Sequence, residues 1–372
     1  MDKTSDKNQR LLSLDALRGF DMLFIMGLSG LIINLSKLTP ECGVMQWLEM
    51  QMHHVAWDGF THHDTIFPLF LFIAGISFPF SLAKQRNSGV STSRICYKII
   101  KRGVMLVLLG IIYNGLFRLQ LDTLRIPSVL GRIGVAWMFA ALMTIWVPTK
   151  LRATISAILL IGYSLLLTIP APDIAEGAEV WSRQGNFAGY IDRIVIPNHI
   201  LWRGTMDPEG ILSTLPAIVT AMLGIFTGEF VRRNDISGTR KSLIMFGAAA
   251  AMLIGGVVWS TFQPINKTLW TSAFTLTAAA YSLAMFALFY YIIDVRGWQR
   301  WTGFFRVVGV NSITIYLAQR FINFGDISRN IFGGLAAKLP EAWGAVVLSV
   351  GYIALCWLLL YFLDRKKVYL KV

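Results

Sequence analysis

A chain of 372 residues that is 55% hydrophobic and 15% charged, with a mean hydropathy of +0.57, carries more apolar surface than a water-soluble fold can bury. This composition excludes an ordinary soluble protein and indicates a polytopic membrane protein. The formal charge of +13 would suit nucleic acid, but basic residues of membrane proteins gather in cytoplasmic loops, so we expect no nucleic-acid partner.

Charge-poor segments long enough to cross about 30 Å of hydrocarbon as a helix occur ten times along the chain. The ninth has a polar core with Asn311, Ser312 and Gln319, so we expect it to face the interior of a helix bundle. The sequence therefore predicts an all-α, polytopic integral membrane protein with a single transmembrane domain over residues 1–372. The ten segments lie near residues 16–36, 65–83, 97–117, 131–149, 153–171, 210–229, 242–262, 268–293, 305–324 and 342–363.

The distribution of basic residues predicts the orientation. If the N-terminus is cytoplasmic, 23 of the 34 Lys and Arg residues fall at the two termini and in the loops after even-numbered segments. This excess predicts that both termini are cytoplasmic. The largest loop, residues 171–210, then lies outside. Its mixture of aromatic and charged residues suits a lid over a polar ligand, or equally a packed lid without a ligand.

Four of the five histidines lie between His53 and Asp64, just before the second predicted span and on its outer side. An imidazole accepts a proton near neutral pH, so His54 could deprotonate an amine or hydroxyl nucleophile, with Asp58 or Asp64 orienting it. The alternative is that these histidines are interfacial loop residues with satisfied hydrogen bonds.

A metal site is a further alternative, because two His-His pairs nine residues apart could bind zinc together with Asp64. Adjacent histidines point in different directions, however, and the three cysteines have no paired spacing. Haem ligation would need histidines deep in opposing helices. We therefore expect no metal.

Charged residues at other predicted helix ends have both a structural and a functional interpretation. Asp15, Arg18 and Asp21 recur every three residues and could form an interior ionic cluster, or Arg18 could reach the cytoplasmic surface. Arg125 and Arg132 flank the outer start of the fourth span, where they could hold a sugar hydroxyl or carboxylate, or pair with an external Asp.

Two more outer helix starts carry candidates. Glu209 follows Asp207-Pro208, where acids stabilise a helix dipole and capping is a sufficient explanation. Lys267 is either an anchor at the membrane surface or a ligand contact. On the inner side, Lys101 and Arg102 precede the third span and mainly set the orientation, although a phosphate-rich cytosolic ligand could use them.

Read in order, eight motifs resemble the transmembrane part of the heparan-α-glucosaminide N-acetyltransferase family. The motifs are collinear over nearly the whole chain, and each lies at a predicted helix end or loop. They are Ser13-Leu-Asp-Ala-Leu-Arg-Gly19, His54-Val-Ala-Trp-Asp-Gly59, Asp64-Thr-Ile-Phe-Pro-Leu-Phe-Leu-Phe-Ile-Ala-Gly75, Arg125-Ile-Pro-Ser-Val-Leu-Gly-Arg132, Ala188-Gly-Tyr-Ile-Asp-Arg193, Asp207-Pro-Glu-Gly-Ile211, Asn266-Lys-Thr-Leu-Trp270 and Asn311-Ser-Ile313.

The resemblance implies a transmembrane acetyltransferase that takes acetyl from cytosolic acetyl-CoA and delivers it to the amine of a glucosamine on the other side. His54 matches the family's catalytic histidine and would act as general base or carry the acetyl group itself. Cationic side chains would hold the CoA phosphates on the inner side, and the candidates are Arg18, Lys101 and Arg102. Candidates for binding the sugar or the oxyanion are Asp58, Asp64, Arg125, Arg132, Glu209, Lys267 and Asn311.

The chain looks like a bacterial relative, located in the cytoplasmic (inner) membrane and acting on an aminosugar or glycan end. A homodimer is an expectation from the family alone. The alternative function is a transporter or flippase of envelope glycan precursors, motivated by polar residues within the first and ninth spans.

Overall fold

The computed structural model describes residues 11–116, 124–174, 177, 179–197, 201 and 204–370. This part of the chain is helical and contains no strand, which confirms the all-α prediction. Two helices continue into π-helical turns, at Phe24–Leu28 and Tyr290–Val295. The α-helices are α1 Leu12–Leu23, α2 Ser29–Ser36, α3 Gly43–Gln51, α4 His62–Asn87, α5 Thr92–Asn114, α6 Val129–Trp146, α7 Thr149–Leu166, α8 Phe187–Val195, α9 Thr214–Val231, α10 Gly238–Ser260, α11 Ser272–Phe289, α12 Thr302–Val310, α13 Ser312–Phe321, α14 Phe324–Ala336 and α15 Glu341–Arg365.

Eight helices among the described residues are long and apolar enough to cross a membrane, and each overlaps one of the ten predicted segments. This agrees with a polytopic membrane protein. The count of ten crossings and the cytoplasmic location of both termini stay predictions. The eight are Leu12–Ser36, His62–Asn87, Val129–Trp146, Thr149–Leu166, Thr214–Val231, Gly238–Ser260, Ser272–Val295 and Glu341–Arg365.

The other two predicted segments differ from the expectation for identifiable reasons. Predicted span 97–117 corresponds to α5, which is a continuous helix of 23 residues but carries several basic side chains in its first half. Predicted span 305–324 is not one helix: α12 ends at Val310, α13 begins at Ser312, and Asn311 between them has φ −117° and ψ 21°. A polar residue and a backbone break therefore interrupt the ninth segment. The outer loop predicted at 171–210 contains α8, while residues 175, 176, 178, 198–200, 202 and 203 lie outside the described residues.

The chain divides into two compact units. We call residues 67–291 the central unit and residues 12–66 with 292–371 the terminal unit. The prediction of a single transmembrane domain over residues 1–372 stays a prediction.

Close approach of helix backbones organises the central unit. On α4 and α9, Gly75 packs against the carbonyl of Ala221, Gly224 against the carbonyl of Phe72, and Gly228 against Ile76. A side chain at any of these glycines would overlap the neighbouring backbone. Because apolar burial gives little net drive between helices in lipid, such small residues allow the van der Waals packing that holds them together.

The terminal unit uses the same device between α1 and α12. Gly19 packs against the carbonyl of Phe305, and Gly309 against the carbonyl of Asp15. Between α1 and α2, Gly27 has φ +114°, a conformation that suits glycine and that interrupts the first span with a π-helical turn. The first span is thus two helical segments joined at a glycine.

Candidate active site

A histidine and a buried aspartate form a pair in the terminal unit. His54 Nδ1 lies 2.7 Å from Asp64 Oδ1. The Asp64 side chain is 3% exposed, whereas that of His54 is 55% exposed. A carboxylate that accepts from Nδ1–H fixes the neutral imidazole in the tautomer whose Nε2 is basic. Asp64 also lies in the first turn of α4, where the helix dipole favours a negative charge.

Backbone and hydroxyl contacts hold the Asp64 carboxylate in place. Its Oδ2 accepts from the backbone N–H of Val55 at 3.3 Å and lies 3.0 Å from Thr61 Oγ1. The Thr61 hydroxyl also donates to the carbonyl of His53 at 2.7 Å. These contacts join residues 53–55 to Thr61 and Asp64. Thr61 and Asp64 together therefore fix the position of the segment that contains His54.

The other histidines pack nearby within the same unit. The rings of His54 and His63 have centroids 4.4 Å apart, and His63 Nδ1 lies 3.4 Å from Ser29 Oγ on α2. His62 packs its ring against Phe24 with centroids 4.1 Å apart. The histidine segment therefore contacts the π-helical turn Phe24–Leu28 and α2. Both interpretations that the sequence left open for these histidines stay predictions.

Acidic and basic side chains form a second cluster, in the central unit. Arg125 Nε donates to Asp207 Oδ2 at 2.7 Å, and its Nη2 donates to both Asp207 and Glu209. Burial lowers the pKa of the Arg125 guanidinium, but the hydrogen bond with Asp207 and the charges of Glu209 and Asp207 outweigh it and raise the pKa. Of the two interpretations that the sequence left open for Arg125, the structure shows the pairing with an external Asp.

Asp192, on α8, organises the loop that carries this cluster. Its carboxylate is buried and accepts from the backbone N–H of Asp207 at 3.2 Å and of Ile211 at 3.0 Å. Gly210 packs directly against it, and a side chain there would overlap the carboxylate. Burial raises the pKa of Asp192 to about 6, although the two backbone hydrogen bonds act in the opposite direction.

Arg132 lies near the same loop, and only part of its guanidinium is hydrogen-bonded to the described residues. It is 3% exposed, its Nη2 donates to the carbonyl of Gly210 at 3.3 Å and to Ser213, and its guanidinium lies 5.2 Å from the ring of Trp270. Its Nε and Nη1 have no hydrogen-bond partner. Buried donors without an acceptor are costly, and within the described residues none accepts from these two groups. Binding of a ligand by Arg132 stays a prediction.

Trp270 is held in an unusual conformation beside Arg132. Its φ of 51° lies in the left-handed region, which is rare for an aromatic residue. Its backbone N–H donates to the carbonyl of Lys267 at 3.1 Å, and its ring contacts the ring of Phe67 with centroids 4.9 Å apart. Lys267 thus belongs to a tight turn that places Trp270, which is a structural role. A contact with a ligand stays a prediction for Lys267.

The remaining predicted acceptor residues lie in the terminal unit. Asp58 is exposed in the turn before Gly59, whose φ is +131°. Asn311 is buried at the break between α12 and α13, and neither its Oδ1 nor its Nδ2 has a hydrogen-bond partner. The carboxylate of Asp21 on α1 is likewise buried without a hydrogen-bond partner, while Arg18 lies 3.6 Å from Asp15. The predicted ionic cluster therefore consists of Asp15 and Arg18 as a pair, with Asp21 separate from it.

The three residues predicted to hold CoA are divided between the units. Arg18 belongs to the terminal unit, and Lys101 and Arg102 lie on α5 of the central unit. Lys101 is exposed, and the guanidinium of Arg102 lies 4.4 Å from the ring of Trp137. Their role in binding CoA stays a prediction.

Within the described residues, no group of three or more His, Cys, Asp and Glu side chains is arranged to hold a metal ion. Two site-forming residues were not singled out from the sequence as ligands or supports. They are Thr61, which positions Asp64, and Asp192, which positions the Asp207 loop. Asp192 falls within a motif of the resemblance, but its role depends on a contact 15 residues along the chain that no local pattern indicates.

The described residues form an all-helical protein with eight helices of membrane length, consistent with a polytopic membrane protein, and a buried carboxylate in it contacts a histidine. Residues 10–119 match the family described as Domain of unknown function (DUF5009). The chain is 27% identical to human heparan-alpha-glucosaminide N-acetyltransferase over 98% of its own length and 60% of that protein. It is 28% identical to the mouse protein of the same name, over 86% of the chain and 56% of that protein.

The chain is therefore homologous to the heparan-alpha-glucosaminide N-acetyltransferases, and the DUF5009 domain is found in the same family of proteins. This confirms the resemblance seen in the motifs. The chain spans less than two thirds of the length of either curated relative. The comparisons give no support for the predicted homodimer.

Proposed function

We propose that this protein is a transmembrane N-acetyltransferase that moves acetyl from cytosolic acetyl-CoA to the amine of a glucosamine-type sugar or glycan end on the extracytoplasmic side. The observation that carries the proposal is the 2.7 Å contact between exposed His54 and buried Asp64. It supports a base fixed in one tautomer, in a segment that matches homologues named as N-acetyltransferases. We also propose that the chain crosses a bacterial inner membrane ten times and that both termini are cytoplasmic.

The chemistry requires a proton acceptor beside the amine. A protonated amine cannot attack a thioester, so in one route His54 Nε2 removes a proton while the amine nitrogen forms a bond to the acetyl carbon. The bond from carbon to sulfur then breaks, and the CoA thiolate takes up a proton. In the other route Nε2 forms a bond to the thioester carbon, the bond from carbon to sulfur breaks, and CoA leaves as the thiolate. The amine nitrogen then attacks the acetyl carbon, the bond from carbon to Nε2 breaks, and the amine proton passes to the released imidazole. In both routes Asp64 stabilises the charge that develops on the imidazole.

Arg132 is the acceptor-site candidate that we favour within the central unit. Its Nε and Nη1 groups can donate to sugar hydroxyls. Asn311, whose amide has no partner among the described residues, is the candidate of the terminal unit. Arg125 and Glu209 would support the site through their loop. Arg18, Lys101 and Arg102 would hold the CoA phosphates.

The test is transfer of radiolabelled acetyl from acetyl-CoA to glucosamine and to a short α-glucosaminide, with the full chain in lipid nanodiscs. We expect His54→Ala to lower transfer by about 10²- to 10⁴-fold, the range for loss of a general base. His53→Ala is the matched control, because Thr61 uses only the backbone carbonyl of His53. Full transfer by a folded His54→Ala protein would contradict the role of His54.

A transporter of glycan precursors is the second candidate, and one observation favours it. The first span is interrupted at Gly27 and the ninth segment at Asn311, and discontinuous helices with buried polar residues are typical of substrate sites in transporters. Uptake of a labelled aminosugar into proteoliposomes without acetyl-CoA would support this function. Acetyl transfer without such uptake would exclude it.

A further inference from the structure

A groove of about 370 Å³ lies on the terminal unit between the α1–α2 segment, α14 and α15. This volume falls within the range of small-molecule sites, about 300–1,000 Å³. The groove is distinct from the pair formed by His54 and Asp64, because neither residue lines it. It has no role in the acetyl transfer proposed above.

Glycines create the open space. Gly27 and Gly30 form one wall, and a side chain added at Gly30 would meet no atom within 4 Å. Gly325, at the start of α14, has no side chain, and Ala345, on α15, has only a methyl group. Both residues line the groove. A long narrow occupant can therefore lie against the backbone of these helices.

The polar side chains of the groove are bonded to the protein itself. Asn34 Nδ2 donates to Ser349 Oγ at 2.9 Å, and the Ser349 hydroxyl donates to the carbonyl of Ala345 at 2.9 Å. The Ser328 hydroxyl donates to the carbonyl of Leu348 at 2.8 Å. Because these donors already have acceptors, the groove suits a hydrocarbon chain better than a sugar, which would require many hydrogen bonds.

Two cations lie at the groove, one bonded to Asn34 and one in the lining. Lys37 is exposed, and its Nζ donates to Asn34 Oδ1 at 3.1 Å. Arg329 lines the groove with a side chain that is 71% exposed, and it lies 3.3 Å from Asp326. Asp326 neutralises one of the two positive charges. The remaining charge, on two flexible and exposed side chains, complements a phosphate group.

The surroundings of the groove are those of a lipid-facing surface. Ile331 and Leu335 on α14 and Val350 on α15 are exposed, and α15 is one of the helices long and apolar enough to cross a membrane. A groove on these helices is bathed by the bilayer, so lipid is the molecule present there at the highest concentration.

We propose that the groove binds an anionic phospholipid of the surrounding bilayer. One acyl chain lies along Gly27 and Gly30, and the phosphate group lies at Lys37 and Arg329. Lys37 and Arg329 select an anionic headgroup. The space left beside Gly27 and Gly30 admits the acyl chain.

The chain-binding part is tested by photo-crosslinking with the full-length protein in nanodiscs. The discs contain mainly phosphatidylcholine and a minor share of phosphatidylglycerol with a diazirine on its acyl chain, and mass spectrometry maps the adducts. In the parent protein we expect adducts on the α1–α2 segment, α14 and α15. Gly30→Leu, whose added Cβ meets no atom within 4 Å among the described residues, places a larger side chain at the groove and should reduce them about tenfold, the effect of a tenfold loss of affinity.

Gly247→Leu is the matched control, because a side chain at Gly247 on α10 also meets no atom within 4 Å but lies outside the groove. This variant should keep the parent's adducts. Adducts that Gly30→Leu does not reduce would overturn the proposal. Absence of lipid adducts at these positions in the parent protein would also overturn it, because the groove would then hold no acyl chain.

The headgroup part is tested with Lys37→Gln and Arg329→Gln combined, two exposed changes that leave the helix packing intact. The parent should form more adducts with the diazirine phosphatidylglycerol than with a diazirine phosphatidylcholine, and the double variant should lose this preference. Equal labelling of the parent by the two lipids would overturn the assignment of an anionic lipid. If Gly30→Leu fails to fold, this comparison of the two lipids still tests whether the groove binds an anionic lipid.

Discussion

Asp64 and Asp207 are both buried carboxylates that contact a side-chain nitrogen, of His54 and of Arg125 respectively. Their sites are nevertheless very different. Asp64, in the terminal unit, holds His54, whose side chain is 55% exposed. Asp207, in the central unit, holds Arg125, which stays charged and is shared with Glu209.

The difference lies in what remains available once the carboxylate is satisfied. At Asp64, the imidazole Nδ1 is bound, and the proposed chemistry uses Nε2 of the same ring. At Asp207, the guanidinium is bound by two acids. Under the proposed function, similar pairs would serve proton transfer in one unit and loop structure in the other, and substitutions separate the two roles.

The largest effect is expected for Asp64→Asn. The amide cannot stabilise a charged imidazole and favours the wrong tautomer of His54, so we expect kcat to fall by about 10²- to 10⁴-fold. The affinity for the acceptor should change little. Steady-state kinetics of acetyl transfer measure both. The control is Glu41→Gln, which removes an exposed carboxylate from the segment between α2 and α3. Equal losses in the two variants would contradict the role of Asp64.

Arg125→Ala should act mainly on stability. It leaves Asp207 buried without its partner, which costs about 3–5 kcal/mol of unfolding free energy. Chemical unfolding of the full chain in nanodiscs measures the loss. Adding Asp207→Asn to Arg125→Ala should recover part of it, because the uncompensated charge is removed. If Arg125→Ala instead raised KM for the acceptor at unchanged stability, Arg125 would bind the sugar directly.

The apolar content of the chain was sufficient to predict most of the fold. Eight predicted segments correspond to membrane-length helices, because the length of an apolar run is set by the thickness of the bilayer. The breaks at Gly27 and Asn311 were not predicted as breaks. Glycine and asparagine are tolerated within transmembrane helices, and only packing, such as that of Gly27 against Tyr352, determines where the backbone departs from α-helix.

The site was predictable only in part, for reasons of distance along the chain. Asp58 and Asp64 were equally good partners for His54 in the sequence, and the fold selects Asp64, ten residues away. The loop that returns to it turns at Gly59. Arg125 and Asp207 are 82 residues apart, so their pairing depends on tertiary structure that no local pattern contains.

Asp192 should make stability depend on pH. Its pKa is raised by burial from 3.8 to about 6, so between these values the folded protein binds more protons than the unfolded chain. The free energy of unfolding should therefore fall as the pH rises from about 4 to about 6, by at most about 3 kcal/mol, and then become flat. Thermal unfolding of the parent and of Asp192→Asn over this range measures the difference. A parent and variant with parallel profiles would contradict the assignment to Asp192.

Arg132→Lys should have the smallest effect and the most specific one. Lysine keeps the charge but cannot present Nε and Nη1 in the same place, so a bound acceptor loses hydrogen bonds worth about 1–3 kcal/mol. We expect kcat/KM for the acceptor to fall by about tenfold to a hundredfold. Arg152→Lys is the matched control, because Arg152 is equally buried in the same unit but its guanidinium is bonded to Glu229, Thr144 and Thr149.

The two lysine variants distinguish a ligand-binding arginine from a structural one. Arg152→Lys removes bonds that exist in the protein itself, so it should lower the unfolding temperature and leave kcat/KM of the folded fraction unchanged. Arg132→Lys removes the Nη2 bonds to Gly210 and Ser213 together with Nε and Nη1, which have no partner within the described residues. It should therefore lower kcat/KM, with a smaller change in unfolding temperature than Arg152→Lys. If both variants lost stability to the same extent and neither changed kcat/KM, Arg132 would be a structural residue like Arg125, and Asn311 would become the leading candidate for the acceptor.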